Sequence, residues 1–106
     1  MLADAAPGVL LTTDMDDVDG FPYFLWDSPM KMSELRQRLE QGSEAERVPL
    51  LARILREARD TEVWRFTTPA EVAALWPRLR LHLGRRRAFW EFLLGRWREL
   101  GLVGPG

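Results

Sequence analysis

The chain has 106 residues, no cysteine and one histidine, His82, and its formal net charge at pH 7 is −1. Without cysteine there are no disulfides or thiolate metal sites, and a lone histidine cannot by itself build a histidine-based metal site. No apolar run approaches the roughly 20 residues that a membrane-spanning helix needs, and Met1 to Asp4 carry an acid where a signal peptide carries positive charge. We therefore expect one small domain in the cytoplasm.

The charge is sorted along the sequence. Residues 1–30 contain six aspartates and no Lys or Arg, residues 31–77 contain eight charges of each sign, and residues 78–106 contain seven arginines against Glu91 and Glu99. The front end therefore carries −6 and the back end +5. Such asymmetry is typical of proteins that bind partners, or whose acidic tail docks on their own basic end.

The front end has few helix signals. Residues 1–20 are predicted to form an acidic, flexible arm that is either mobile or loosely docked on the domain. The next six residues, FPYFLW at 21–26, contain four aromatics and a proline, which argues against a helix interior. We expect this segment to lie as an extended strap across a helical core.

Two helices are predicted next. The first spans about 33–41, with Ser33 as N-cap and Gly42 as its stop. The second begins with a capping box in which Ser43 is the N-cap and Glu46 the third helical residue, and should reach about residue 59. Pro49 predicts a kink or a later start. The predicted inward stripe is Leu51, Ile54, Leu55 and Ala58, and the residues predicted to face water are Arg53, Arg56, Glu57 and Arg59.

A third helix has the clearest start, with Thr68 as N-cap and Pro69 as the first helical residue, and should end or kink by Pro77. Leucines and basic residues then alternate over 78–83, which indicates an extended or irregular linker. The last helix spans about 85–100 and ends at Gly101, before a frayed tail at 104–106. Its predicted core residues are Phe89, Trp90, Leu93, Trp97 and Leu100.

These elements predict an all-α fold: a compact bundle of four to five short helices with an extended aromatic N-terminal strap, forming a single domain over 21–103.

The strongest candidate for a binding site is the arginine-rich start of the last helix. Three consecutive arginines at a helix N-terminus oppose the helix dipole, so their placement invites a functional reason. Three interpretations are open. The arginines form a solvated first turn beside core aromatics, or they contact an acidic protein or the chain's own acidic arm. In the third, they bind the phosphates of a nucleic acid while a neighbouring aromatic ring stacks on a base. The candidate partner-binding residues are Arg78, Arg80, Arg85, Arg86, Arg87 and Trp90.

No catalytic, cofactor-binding or metal-binding residues are predicted. The aspartates at 14–19 are spaced as in a calcium loop, but the twelfth position is Leu25 instead of the bidentate Glu. Neither His82 nor any carboxylate is paired in sequence with a nucleophile or a phosphate loop. We therefore expect a protein without enzymatic activity.

Four sequence blocks carry a family resemblance: FPYFLWD at 21–27, LARILREAR at 51–59, VW at 63–64 and LWPRL at 75–79. Over residues 21–103 the chain resembles small uncharacterised bacterial proteins that are often encoded beside AbiEii-type nucleotidyltransferase toxin-like proteins. The resemblance implies an antitoxin-like or accessory partner, and it implies no catalytic or binding residues.

Two functions follow as hypotheses. The first is a non-enzymatic protein-interaction module, with a nucleotidyltransferase-like protein as a candidate partner. The second is nucleic-acid binding through the Arg-rich C-terminal helix, with the contacts made by Arg78, Arg80, Arg85, Arg86, Arg87, Arg96 and Arg98.

Overall fold

A computed structural model describes residues 10–103, and within them the protein is an all-α bundle. The predicted fold class is confirmed: four α-helices carry the core, and the sheet in this part of the chain has two strands of two residues each. Four short 3₁₀ helices lie between the longer elements, at Tyr23–Leu25, Val63–Arg65, Arg80–His82 and Gly84–Arg86. The strands are β1 (Leu11–Thr12) and β2 (Phe21–Pro22), and the α-helices are α1 (Met32–Gln41), α2 (Glu44–Glu57), α3 (Pro69–Leu79) and α4 (Arg87–Glu99).

The start of α1 differs from the prediction. The helix begins at Met32 with Lys31 as N-cap and without a side-chain cap, so Ser33 lies inside the first turn. Instead, the backbone N–H of Met32 donates to the carbonyl of Gly20 at 2.8 Å, and that of Ser33 donates to the carbonyl of Val18 at 3.0 Å. Distant backbone carbonyls therefore satisfy donors that a local serine was expected to satisfy.

The capping box of α2 is confirmed. The Ser43 N–H donates to Glu46 Oε1 at 2.8 Å, and the Glu46 N–H donates to Ser43 Oγ at 3.3 Å. The helix continues through the exposed Pro49, so the alternative of a later start is wrong, and it ends at Glu57. The predicted inward stripe of α2 is buried as expected.

The start of α3 is also confirmed, because the Glu71 N–H donates to Thr68 Oγ1 at 3.1 Å. The helix does not end at Pro77 but continues to Leu79. The linker predicted after it is a 3₁₀ helix rather than an extended segment. Leu79 and Leu83, four residues apart, are buried while Leu81 is exposed. Burial therefore follows the four-residue spacing of a helix and not the two-residue spacing of a strand.

The C-terminus of α4 has the predicted glycine stop. Gly101 has a φ of 74°, the left-handed conformation that favours glycine. Its N–H donates to the Arg98 carbonyl at 3.1 Å, and the Leu102 N–H donates to the Trp97 carbonyl at 2.8 Å. This pair of bonds is a Schellman motif.

The aromatic strap is held by Arg53, which was predicted to face water. Arg53 Nε donates to the Phe24 carbonyl at 2.9 Å, its guanidinium pairs with Asp27, and it lies 5.7 Å from the centroid of the Trp26 ring. Phe24 is buried, and only Phe21–Pro22 is extended before the chain turns. The prediction for Arg53 is wrong because a distant segment covers its side of α2.

The predicted arm has two parts. Residues 1–9, like residues 104–106, lie outside the described range. In residues 10–20, β1 pairs in parallel with β2, Met15 is 4% exposed in the core, and Arg65 Nη1 lies 2.5 Å from Asp16 Oδ1. This part of the arm is therefore packed on the helices rather than free of them.

None of the helices within residues 10–103 combines the length and apolarity that a membrane span requires.

Candidate interaction surface

The predicted arginine set does not form one uniform patch. Arg78 pairs with Glu44 at 2.9 Å. Within residues 10–103, the side chains of Arg80, Arg85 and Arg87 have no carboxylate partner. Arg86 has none in this range either, but its guanidinium is engaged by a backbone carbonyl.

Arg86 has a structural role. Its Nη1 donates to the Ala58 carbonyl at 3.4 Å, at the C-terminal end of α2. Its guanidinium lies 5.1 Å from the ring centroid of Phe89 and 5.7 Å from that of Trp90. These distances are typical of cation–π contacts, so Arg86 joins the start of α4 to α2.

Trp90 belongs to the core and not to the surface. It is 1% exposed, and its indole N–H donates to the Leu55 carbonyl at 2.8 Å. Almost all of the ring is therefore covered by the protein itself. Only a small part of it lines the cavity described below, so a contact between Trp90 and a partner stays a prediction limited to that part.

The acidic front end does not meet the basic back end in the part of the chain that the structure describes. Asp16 pairs with Arg65, and Asp27 pairs with Arg53. Both arginines come from the electrically neutral middle of the sequence.

The outer side of α4 is unexpectedly apolar. Phe89 is 38% exposed and Phe92 65%, and Leu100, just after the helix, is 62% exposed. With the partly buried Leu93 they follow the three- and four-residue spacing of one helix face. Arg96, which pairs with Glu99 at 2.8 Å, lies on the same face and interrupts it. We call Phe89, Phe92, Leu93 and Leu100 the α4 outer face.

Sequence reasoning had placed Phe89 and Leu100 in the core and had not singled out Phe92. The sequence contained a signal for this exposed face, because α4 has apolar residues on more than one side. Its inner side is occupied by Trp90 and Leu94, both 1% exposed. Since a helix packs on a bundle through one face, the apolar residues on the other side are predicted to be exposed.

A cavity of about 290 Å³ lies beside this face. It is bounded on one side by α4 and on the other by the loop leading into the 3₁₀ helix that carries Trp64. Small-molecule pockets typically begin at about 300 Å³, so the cavity is suited to one large side chain. Its lining residues, which we call the α4 groove, are Asp60, Thr61, Trp64, Trp90 and Leu93.

Aromatic contacts give the groove a defined shape. The ring of Trp64 is 38% exposed and meets Trp90 edge-on, at 5.8 Å between centroids and an angle of 88°. It also meets Trp97 at 5.5 Å and 67°. Edge-to-face packing of this kind is favourable, so Trp64 is held as a wall with part of its surface in solvent.

A second, larger cavity of about 490 Å³ lies between α1 and the start of α2 and is lined mostly by polar groups. Its charged groups are already engaged: Arg38 pairs with Glu34 at 2.7 Å, and Glu46 closes the capping box. This cavity therefore offers no free charge that would hold a ligand.

The perturbed ionisable groups lie in structural contacts. Burial raises the pKa of Tyr23, and its hydrogen bond to Glu62 raises it further. Burial lowers the pKa of Arg53, while the backbone N–H of Ser43 lowers the pKa of Glu46. None of these groups lines the α4 groove. Within residues 10–103, no three side chains of His, Asp or Glu converge as metal ligands.

Comparisons of the chain with protein-family models, curated proteins and solved structures found no match. We therefore infer function from the geometry of the surface.

Proposed function

We propose that this protein is a non-enzymatic protein-interaction module, and that its contact surface is the α4 groove together with the α4 outer face. One observation carries the proposal: Phe89, Phe92 and Leu100 are exposed on the same side of α4 as Leu93, and Leu93 lines a cavity of about 290 Å³. Exposed apolar residues that cluster on a small protein mark interaction sites. Aromatic residues and arginine are also enriched where proteins bind each other.

The partner proposed first is a nucleotidyltransferase-like protein, for which this chain would be an antitoxin-like or accessory subunit. The support is the resemblance of residues 21–103 described above. A cytoplasmic location belongs to the same proposal.

The test is co-purification of the tagged full chain from its source cell after nuclease treatment, followed by mass spectrometry. We expect one stoichiometric protein partner, which the variant Phe92→Ser should lose. The matched control is Leu81→Ser, because Leu81 is 66% exposed and Phe92 65%, but Leu81 lies outside both parts of the surface. Retention of the partner by Phe92→Ser would contradict the proposed surface.

Nucleic-acid binding is the second candidate, favoured by the side chains of Arg80, Arg85 and Arg87, which lack carboxylate partners in the described range. If each neutralises one phosphate of a duplex, the affinity should fall with salt with a logarithmic slope of about −2.7, at about −0.9 per phosphate. Fluorescence anisotropy with labelled single- and double-stranded oligonucleotides measures this slope. Absence of binding at low salt would exclude this candidate.

A further inference from the structure

We infer that residues 10–20, which we call the lid, open from α1 as one unit while the helical bundle stays folded. Met15 and Arg36 hold the lid closed, and opening it uncovers the start of α1 and the site that Met15 fills. This movement is separate from the proposed contact surface, since the residues that line the α4 groove all lie outside the lid.

The lid covers the N-terminal end of α1. The first N–H groups of a helix have no acceptor within the helix, and the N-cap residue, Lys31, gives α1 no side-chain cap. The N–H of Met32 donates instead to the Gly20 carbonyl at 2.8 Å, and the N–H of Ser33 donates to the Val18 carbonyl at 3.0 Å. Opening the lid breaks both bonds, so these two amides report directly on its position.

The lid has one apolar anchor. Within residues 10–20 only Met15 and Gly20 are buried, and glycine has no side chain. Four aspartates give the lid a charge of −4, and within residues 10–103 only one of them, Asp16, pairs with an arginine of the helical part, Arg65. The Asp16 side chain is 74% exposed, and such an ion pair contributes little to stability. Burial of Met15 therefore supplies the main apolar contribution to closure.

Arg36 joins the lid to two other segments. Its Nη2 donates to the Met15 carbonyl at 3.2 Å, and its Nη1 donates to the Arg65 carbonyl at 3.1 Å. Its guanidinium also lies 4.9 Å from the ring centroid of Phe66, a distance typical of cation–π contacts. One side chain of α1 thus holds the backbone of Met15 against the segment that carries Arg65 and Phe66.

The lid and the bundle differ in how much apolar surface holds them. Segments with few buried apolar contacts open at a lower free energy than the whole domain. The interior of α2, in contrast, contains Leu51, Ile54 and Leu55, which are each at most 1% exposed. A partner that binds the open state shifts the population toward it. The lid is therefore a point at which access to the site of Met15 is controlled.

Native-state hydrogen exchange of the full-length protein, followed by NMR, tests the lid. The amides of Met32 and Ser33 should exchange at least about tenfold faster than those of Ile54 and Leu55, yet more slowly than in an unstructured chain. Urea below the unfolding transition should accelerate exchange in α2 strongly and at Met32 and Ser33 little, because sensitivity to urea follows the surface that opening exposes.

Two core variants separate the lid from the bundle. Met15→Ala removes the apolar anchor and should accelerate exchange at Met32 and Ser33 at least about tenfold. Ile54→Val should accelerate exchange in α2 about two- to tenfold. It should leave exchange at Met32 and Ser33 unchanged, because the lid opens with Ile54 still packed.

A second pair of variants tests Arg36. Arg36→Gln should accelerate exchange at Met32 and Ser33 about two- to tenfold by removing its hydrogen bond to the Met15 carbonyl. Arg38→Gln removes the same charge from α1, but Arg38 pairs with Glu34, so exchange at the two amides should not change. Circular dichroism of each variant confirms that the helices are kept.

Four results would overturn the lid. Exchange at Met32 and Ser33 could follow that of α2 in urea and in Ile54→Val, or it could be as fast as in an unstructured chain. Met15→Ala could leave it unchanged, or Arg36→Gln and Arg38→Gln could have equal effects. The urea dependence of the original protein needs no variant, so it distinguishes opening of the lid from global unfolding even if Met15→Ala does not fold.

Discussion

The hydrogen bond from Trp90 to the C-terminal end of α2 should contribute measurably to stability. The Leu55 carbonyl lies in the last turn of α2, where the helix's own donor would be the N–H of Arg59. That N–H donates instead to the Tyr23 hydroxyl at 2.8 Å. The Leu55 carbonyl therefore depends on the Trp90 indole, which donates to this backbone oxygen at 2.8 Å in the interior of the protein.

The variant Trp90→Phe removes this donor and leaves the carbonyl buried without a partner, at a cost of about 1–3 kcal/mol. It also removes part of a ring, which costs stability by leaving a cavity. Trp76→Phe removes the same atoms from a ring that is 7% exposed and that makes no side-chain hydrogen bond within residues 10–103. The difference between the two variants reports the hydrogen bond together with the contacts of the Trp90 ring with Arg86 and Trp64.

The assay is urea and thermal unfolding followed by far-ultraviolet circular dichroism, because replacing a tryptophan changes the fluorescence of the folded state. Trp90→Phe should be less stable than Trp76→Phe by at least about 1 kcal/mol, which for a domain of this size lowers Tm by at least about 4 °C more. Equal destabilisation by the two variants would refute the assigned role of the Trp90 indole.

Three further predictions concern local contacts, each measured by urea unfolding. Ser43→Ala should cost about 0.5–2 kcal/mol by breaking the capping box, whereas Ser33→Ala should change stability by less than about 0.5 kcal/mol; equal effects would contradict the two assignments. Tyr23→Phe should cost about 1–3 kcal/mol by removing two hydrogen bonds. The raised pKa of Tyr23 means that the folded state favours the neutral phenol. The contribution of Tyr23 to the free energy of unfolding is therefore full below its ordinary pKa of 10.0 and is lost as the pH rises through its pKa in the folded protein. If Tyr23→Phe lost stability at alkaline pH as steeply as the original protein, this assignment would be contradicted. Met15→Ala should lower the free energy of unfolding by about 2–5 kcal/mol. Asp16→Asn, at an exposed side chain, should lower it by less than about 1 kcal/mol. If Met15→Ala lowered it by as little as Asp16→Asn, Met15 would not pack in the core.

The helix boundaries that sequence reasoning predicted correctly depend on contacts within about four residues. The caps at Ser43 and Thr68 and the glycine stop at Gly101 are of this kind. Ser33 carries an equally good local signal, yet the N-cap of the helix is Lys31, two residues earlier. The carbonyl groups of the loop at 18–20 accept hydrogen bonds from the N–H groups of the first turn. The residues near Ser33 in the sequence give no indication of these contacts.

The surface was predictable only in part. The arginine-rich start of α4 was recognised from the sequence. Only the structure shows that its arginines have different roles: Arg86 binds the end of α2, while Arg85 has no carboxylate partner in the described range. Trp90 and Phe92 are both aromatic residues of the same helix, and one is 1% and the other 65% exposed. Composition and spacing do not distinguish them.

The sequence by itself determined the helical class, the start of α2 and α3, the stop of α4 and the sorting of charge from an acidic front to a basic back. These properties follow from local hydrogen bonding, apolar periodicity and counting of charges. Only the tertiary structure decided which face of α4 is covered, which arginines are engaged and that residues 10–20 pack on the helices through Met15. Burial and ion pairing are set by segments distant in the chain, such as the strap that covers Arg53 and the α2 terminus that receives Trp90.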